Sequence, residues 1–399
     1  MIGPTLWAMA LVASTPAAPP AEVAVPVPSA AAIRYHSGNN VLWAVVQAWS
    51  LALPAAWLAS GAARRLGRVA LRVGRKPARA SLVFLPSYMA VNSLLTLPLA
   101  WWIGFDRQHR YGLSTQGLPS FLADYAIGHG ATLLLATISV FPIIALAGRF
   151  PGRWWLIAAI LAAPAVVGTI ALRPIVYDPM FNTFGPMVDK PLEARLLGLA
   201  ARAGIDGGRV YQVDMGRKTT AVNAYVTGLF GSRRIVLWDT LLAKLDADEV
   251  AAVMGHEMGH YALGHVARGV WLACLANFGA FAAVAVGSRW ACRRLGVGKP
   301  GEPATLPLIH LVLLLLLLAA TPVGNAISRH QEREADRYAL GLTGDGRSAA
   351  RAFADLQRDN LSVPRPGLWY TFWRGTHPPL AERIEAANAF GAGRGVRGP

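Results

Sequence analysis

The residues best equipped for chemistry are His256, Glu257 and His260, in the run His256-Glu257-Met258-Gly259-His260. On a helix, His256 and His260 lie about one turn apart on one face. That spacing brings both imidazoles to a single metal ion. Glu257 lies roughly 100° round the helix from His256. It is near enough to hold a water at the metal and too offset to be a third ligand. The chemistry such a set can do is zinc-assisted hydrolysis of a peptide bond, with the carboxylate as general base.

A tetrahedral zinc ion with one open position needs a third protein ligand. The stretch Ser328-Arg329-His330-Gln331-Glu332-Arg333-Glu334-Ala335-Asp336 can supply it. Ser328, Glu332 and Asp336 recur every four residues and form one helical stripe. Glu332 is the expected third ligand. Asp336, one turn on, suits acceptance of a hydrogen bond from a ligand histidine. Glu334 lies roughly 160° from Glu332, on another face, so its loss is expected to matter little. His265 would lie about 140° from His260 on an unbroken helix, and it is left outside the ligand set.

These residues need elements to hold them. Asp246 with Glu249 reads as a capping box that starts the His256 helix, and Val250, Val253 and Met254 give it an apolar side. No Pro or Gly interrupts residues 325–340, so one helix should carry Glu332 out of the preceding apolar run. That run is one of six, near 41–60, 82–103, 125–147, 154–172, 270–287 and 306–327, that approach the roughly 20 residues needed to span a bilayer. Trp101, Trp102, Trp154, Trp155 and Trp271 sit at run ends, as interfacial anchors do. His129 and His310 fall within runs, either facing a hydrated interior or simply hydrogen-bonded. Residues 1–20 read as a secretory signal or a poor first span. Residues 21–40, rich in Pro and Ala, read as irregular.

Between the fourth and fifth runs lies a polar insert, 173–269. Leu192–Ala203 reads as a helix stopped by Gly204. Val210–Asp214, Thr219–Thr227 and Arg234–Trp238 read as strands, the last two joined through Gly228, Gly231 and Ser232 as a hairpin. Such a sheet could offer an edge to an extended substrate or simply pack the helix. The expected fold is mainly α: a polytopic α-helical membrane protein with an inserted α+β, zincin-like (gluzincin) catalytic domain. Its parts are a signal-like segment or poor first span plus linker (1–40), four spans (41–172), the catalytic domain (173–269), two further spans (270–327), the remainder of the catalytic domain with the third ligand (328–390) and a basic tail (391–399).

Composition agrees. Of 399 residues 54 % are hydrophobic and only 15 % charged, too apolar for an ordinary soluble domain. Two cysteines exclude a disulfide framework and a Cys-rich zinc site. A net charge of +16 suggests nucleic acid, but much of it sits in short loops between apolar runs, where it faces anionic lipid. The lipid bilayer, and no nucleic acid, is the expected partner.

In combination and order, several stretches resemble the M48 metallopeptidases of the Ste24 type, the type I CAAX prenyl proteases. They are Tyr111-Gly112-Leu113-Ser114, Asp178-Pro179-Met180-Phe181-Asn182, Asn223-Ala224-Tyr225, His256 to His265, Ser328-Arg329 with Glu332, Ala335 and Asp336, and Thr376-His377-Pro378-Pro379 with Arg383. The resemblance covers about residues 41–390. It implies one Zn2+ held by His256, His260 and Glu332, with Glu257 as base. It also implies that Asn223 and His377 flank the substrate carbonyl and support its oxyanion. The family has seven spans, where this sequence shows six clear runs. The implied partner is a peptide or protein substrate, prenylated or otherwise membrane-associated, and membrane-protein quality control is an equal expectation.

A zinc-binding membrane sensor with a peptidase-like fold is the alternative, and the intact base Glu257 favours the enzyme. An intramembrane protease of the site-2 type would place the zinc helix within a span, whereas Asp246, Asp248 and Glu249 open this one. Loop charge sets the orientation expected in a bacterial inner membrane. The loops 61–81, 148–153 and 288–305 carry 13 basic residues and the opposite segments 21–40 and 104–124 carry 3. The positive-inside rule puts the first group in the cytoplasm and the catalytic domain on the extracytoplasmic side, against the cytosolic face of the Ste24 enzymes.

Overall fold

The computed structural model describes residues 22–205, 209–228, 234–296 and 301–393. The readings on residues 1–20, on Gly231 and Ser232, and on most of the basic tail fall outside these. Among the described residues six helices are long and apolar enough to cross a membrane: Ala30–Ala59, Pro77–Arg110, Leu118–Arg149, Trp154–Met180, His265–Arg294 and Pro303–Thr343. The structure is a polytopic helical protein with an inserted α+β domain.

The first helix, α1 (Ala30–Ala59), begins eleven residues before the apolar run suggests. Its Ser29 cap accepts a hydrogen bond from Ala32 N. The polar turn that looked irregular is helical because its groups have partners. Arg107 Nη2 donates to Tyr35 O (2.9 Å) and to Asn39 Oδ1 (3.2 Å). A short basic helix, α2 (Ala62–Gly74), turns the chain back into α3 (Pro77–Trp101). Gly67 of α2 leaves room for Ala304, and Gly301 lies against Ala147, so three of the basic connections share one end of the bundle. Helices α4 (Leu118–Arg149) and α5 (Trp154–Leu172) then return the chain to the opposite end.

There the inserted domain begins. Its sheet has the order β1-β2-β4-β3, with β1 Phe184–Pro186, β2 Arg209–Val213, β3 Ala224–Thr227 and β4 Arg234–Trp238. β1 pairs antiparallel with β2, β2 parallel with β4, and β3 antiparallel with β4, Tyr225 opposite Val236. β3 is an edge strand and shorter than the expected 219–227. Residues 218–220 are held instead by the loop after α3. Thr219 Oγ1 donates to Leu113 O (2.8 Å) and Thr220 Oγ1 to Gly112 O (2.9 Å). This explains the Tyr111–Ser114 motif: Gly112, at φ +69°, makes a turn that only glycine enters readily. β1 went unnoticed in the sequence because three residues are too few to show alternation.

Helix α6 (Lys190–Arg202) and helix α7 (Ala247–Ala262) cover the sheet. Leu196, Ile235, Leu237, Leu241, Met254 and Met258 are fully buried between them. The capping box of α7 is formed. Asp246 accepts from Glu249 N (2.9 Å), and Asp246 N donates to Glu249 Oε2 (3.0 Å). Arg351 of α10 (Gly346–Asp359) clamps both carboxylates at 2.9 and 3.0 Å. α8 (His265–Leu295) and α9 (Leu306–Thr343) are the last two spans. α9 has 38 residues, about 57 Å at 1.5 Å per residue, against a hydrocarbon core of about 30 Å. It continues unbroken from the membrane into the catalytic domain.

The closest approach of α7 to α9 is at two glycines. A Cβ on Gly259 would lie 3.1 Å from both Cα and O of Ala335, and one on Gly255 3.2 Å from Thr343 Cγ2. Small residues thus set how near the two helices come. Gly259→Val should push them apart, costing about 1–3 kcal/mol as an overpacked contact. A lowered thermal midpoint, together with weakened metal binding, is the expected result. An unchanged midpoint would show that the crossing tolerates bulk.

Candidate metal centre and active site

α7 presents His256 and His260, and α9 presents Glu332. Their donor atoms come together: His256 Nε2 to His260 Nε2 3.3 Å, His256 Nε2 to Glu332 Oε2 3.2 Å, and His260 Nε2 to Glu332 Oε1 3.3 Å. Among the described residues this is the one group of three or more His, Cys, Asp or Glu close enough to share an ion. Ligands about 2.0–2.1 Å from a tetrahedral zinc stand about 3.3 Å from one another, which is the spacing between the two Nε2 atoms and from each of them to its nearer Glu332 oxygen. Two observations indicate that the group fits a cation. Glu332 Oε2 is buried with no hydrogen bond to satisfy it. The two Nε2 atoms also face each other, although each ring's Nδ1 is engaged elsewhere.

Those Nδ1 contacts fix the tautomers. His256 Nδ1 lies 2.8 Å from Asp336 Oδ1. Asp336 is in turn held by Arg383 of α12 (Leu380–Gly391), through Nη2 at 2.6 Å and Nε at 2.8 Å. Burial would raise the Asp336 carboxyl, but Arg383 and His256 outweigh it and hold it well below the usual carboxylate range. At His256 burial disfavours the charged ring, yet Asp336 and Glu332 outweigh it and push its pKa up to about 9. The pocket of carboxylates therefore calls for positive charge at His256, which a proton or a metal ion can supply. Glu257 is raised, chiefly by burial and against the pull of His256 and His260. A carboxylate moved towards neutrality suits proton transfer.

His260 Nδ1 is engaged by His265, and here the sequence reading needs correction. α7 stops at Ala262, and Gly264 at φ +70° redirects the chain, so His265 opens α8 instead of ending α7. Its position is not the one extrapolated from an unbroken helix. His265 Nδ1 lies 3.0 Å from His260 Nδ1, and its Nε2 lies 3.1 Å from Glu334 Oε2. With Nε2 of His260 facing the metal position, its Nδ1–H donates to His265 Nδ1, and His265 Nε2–H donates to Glu334. Glu334 is thus on another face from Glu332, as its spacing requires, and still bears on the site. The start of α8 lies over that second face. The signal in the sequence was Gly264, between the two histidines.

Asn223, His377, His256 and Glu257 share the wall of one cavity of about 610 Å3. His377 Nε2 is 3.4 Å from Glu332 Oε2, with its side chain 58 % exposed towards that space. Asn223 sits just before edge strand β3, and the Val226 backbone of β3 is near enough to Glu257 to favour its charged form. A carboxylate, two exposed donors and a strand edge surround the point where His256, His260 and Glu332 converge. Such an arrangement can polarise a carbonyl, move a proton and hold an extended chain.

The helical bundle, the inserted sheet and a His-His-Glu group on two crossing helices define a membrane-embedded metallopeptidase. Comparison with known proteins says which kind. A model described as Peptidase family M48 matches residues 186–390, and one described as CAAX prenyl protease N-terminal, five membrane helices, matches residues 14–183. The chain is 38 % identical to an uncharacterized metalloprotease of Bacillus subtilis, YhfN, over 74 % of this chain and 70 % of that protein. It is 30 % identical to CAAX prenyl protease 1 of Saccharomyces cerevisiae, over 77 % and 71 % of the two chains. Its fold is similar to that of the S. mikatae Ste24p crystal structure, at TM-score 0.77 and 24 % identity, covering 89 % of this chain and 87 % of that one. The chain belongs to peptidase family M48 and is a membrane metallopeptidase similar to the CAAX prenyl proteases.

Glu332→Ala is expected to abolish stable metal binding. Glu334→Gln should weaken it about ten- to a hundredfold, the usual effect of losing an outer hydrogen bond to a ligand. Zinc titration of the purified chain reads both. Unchanged affinity in Glu334→Gln would show that the His265 contact orients nothing.

Proposed function

We propose that the protein is a zinc endopeptidase in which His256, His260 and Glu332 hold one Zn2+ and Glu257 is the general base. The observation that carries this is the convergence of the two Nε2 atoms on each other and on the Glu332 carboxylate, at 3.2–3.3 Å, beside the buried Glu257. The ion, when bound, supplies Lewis-acid activation of a water and of the scissile carbonyl. Glu257 accepts the proton of the attacking water and later passes it to the leaving amine. Asp336 and His265 keep the ligand rings turned with Nε2 inward. His377 and Asn223 donate hydrogen bonds to the oxygen of the tetrahedral intermediate. The open edge of β3 pairs with the substrate backbone and brings a peptide bond alongside Glu257.

The catalytic side is proposed from loop charge. The basic connections lie at the end of the bundle opposite the inserted domain, and the positive-inside rule assigns that end to the cytoplasm. In a bacterial inner membrane the active site then faces outwards, and its substrates are exported or membrane proteins in need of removal. The Saccharomyces relative, named a CAAX prenyl protease, favours a second reading, a cytosolic site acting on prenylated protein.

Glu257→Gln should lose peptide cleavage by a factor of 100 or more, on the order of the contribution of a general base, with zinc still bound near one per chain. Zinc loss in that variant, measured by elemental analysis, would contradict a non-ligand role. Alkaline phosphatase fused after residue 390 should be active in cells. Activity of a cytoplasmic fluorescent reporter at the same place would overturn the outward orientation and support the second reading.

A further inference from the structure

The cavity beside Glu257 contains a cation that the proposed chemistry does not use. Arg374 follows the short helix α11 (Leu368–Trp373) and lines the same cavity as Glu257 and His377. Its Nη1 donates to Asn40 Oδ1 of α1 at 2.6 Å, and its guanidinium carbon lies 5.3 Å from the Tyr370 ring centroid. Tyr370 is itself packed on the His36 ring, 4.8 Å between centroids. The guanidinium is therefore held in place from two sides.

It has no counter-ion among the described residues. Among the described residues no carboxylate forms an ion pair with Arg374, whereas Arg383, the other arginine of the wall, is bound to Asp336 through two nitrogens. The one carboxylate lining the cavity is Glu257, which has its own task. A partly buried cation with no anion near it loses hydration without recovering it from a partner. Asparagine and tyrosine position it but do not neutralise it. A guanidinium has five N–H donors in a planar fork that matches a carboxylate, and the one side-chain hydrogen bond seen, to Asn40, engages Nη1 alone.

We infer that Arg374 is a specificity residue that binds a carboxylate of the peptide substrate, either its free C-terminus or an acidic side chain. The inference rests on the peptidase reading above. It makes the preferred substrate anionic at one place, in a chain whose overall charge is strongly basic. An arginine fork binds both carboxylate sources alike, so the sources must be separated by experiment.

The test uses the full-length, zinc-loaded chain carrying Glu257→Gln, so that binding is read without cleavage. One short apolar fluorescent peptide is compared as free acid, as C-terminal amide, and as amides bearing a single Glu at each position in turn. A carboxylate-bearing form should bind about tenfold tighter than the plain amide, the effect of one charged hydrogen bond. Preference for the free acid identifies the terminus, and preference for a Glu-bearing amide identifies a side chain. Arg374→Gln in the same background should erase the preference, and Arg374→Lys should retain part of it, with zinc content unchanged in both. Equal affinity for all forms, including no measurable binding of any, overturns the inference, as does a preference that survives Arg374→Gln. Cleavage of the same peptides by the chain with Glu257 intact is scored separately, so failure of the peptidase reading is seen there and not in the binding comparison.

Discussion

The proposed chemistry depends on two helices crossing closely enough for two imidazoles and one carboxylate to converge. His256 and His260 come from α7, Glu332 from α9, and nothing in the chain between them is part of the group. The donors stand 3.2–3.3 Å apart, a distance that fails if the helices separate by even a side chain's width. Gly255 and Gly259 permit it by presenting bare backbone to Ala339 and Ala335. The two glycines lie in α7 one residue before each ligand histidine, on the side that meets α9. The residues between the functional ones in the motif are therefore structural in a definite sense, since they set the interhelical distance on which the ligand set relies.

Convergence brings a second constraint. Two buried carboxylates, Glu332 and Asp336, lie within reach of His256, and burial of unbalanced charge is costly. Arg383 answers part of it, wedged over the Phe353 ring at 4.0 Å and bonded to Asp336. The remainder is answered by positive charge at the convergence point. This links the C-terminal helix α12 to the centre. A residue more than forty positions beyond that helix stripe sets the electrostatics of the His256 ring, through Asp336 and directly, with its Nη2 3.3 Å from His256 Nδ1.

Much of this could be read from the chain. The four-residue periodicities of His256 with His260 and of Ser328, Glu332 and Asp336 are local, and α7 and α9 are uninterrupted there. Spacing on an unbroken helix translates directly into a shared face. The same method failed at His265 because Gly264 ends the helix, so a projection of five residues carried the wrong axis. The contact of Glu334 with His265 was hidden for the related reason that a second helix packs on the face it occupies. The beginning of α1 was hidden by polar residues whose partners, such as Arg107, come from another helix. Thr219 and Thr220 have the composition of a strand, yet their hydroxyls are engaged by carbonyls of the Gly112 turn. Arg374 carried no signal at all, because what distinguishes it is the absence of an acid around it in three dimensions.

The membrane helices are more than an anchor. α1 is 30 residues long, about 45 Å, and the hydrocarbon core accounts for about 30 Å. The excess lies at the catalytic end, where Tyr35, His36 and Asn39 line the cavity and Asn40 holds Arg374. Gln108, at the end of the second span, joins the same wall and accepts from Tyr35 Oη at 3.0 Å. A cavity with one wall of soluble-type sheet and helix and another of extended spans cannot form in either part alone. A peptide entering it would meet Glu257 and His377 on one side and the emerging ends of membrane helices on the other. That geometry favours chains already lying near the bilayer surface, whichever side of the membrane the site faces. It also accounts for an inserted domain between the fourth and fifth spans. The chain arrives there by α5, builds the sheet and α7, crosses in α8 and returns in α9 to deliver Glu332.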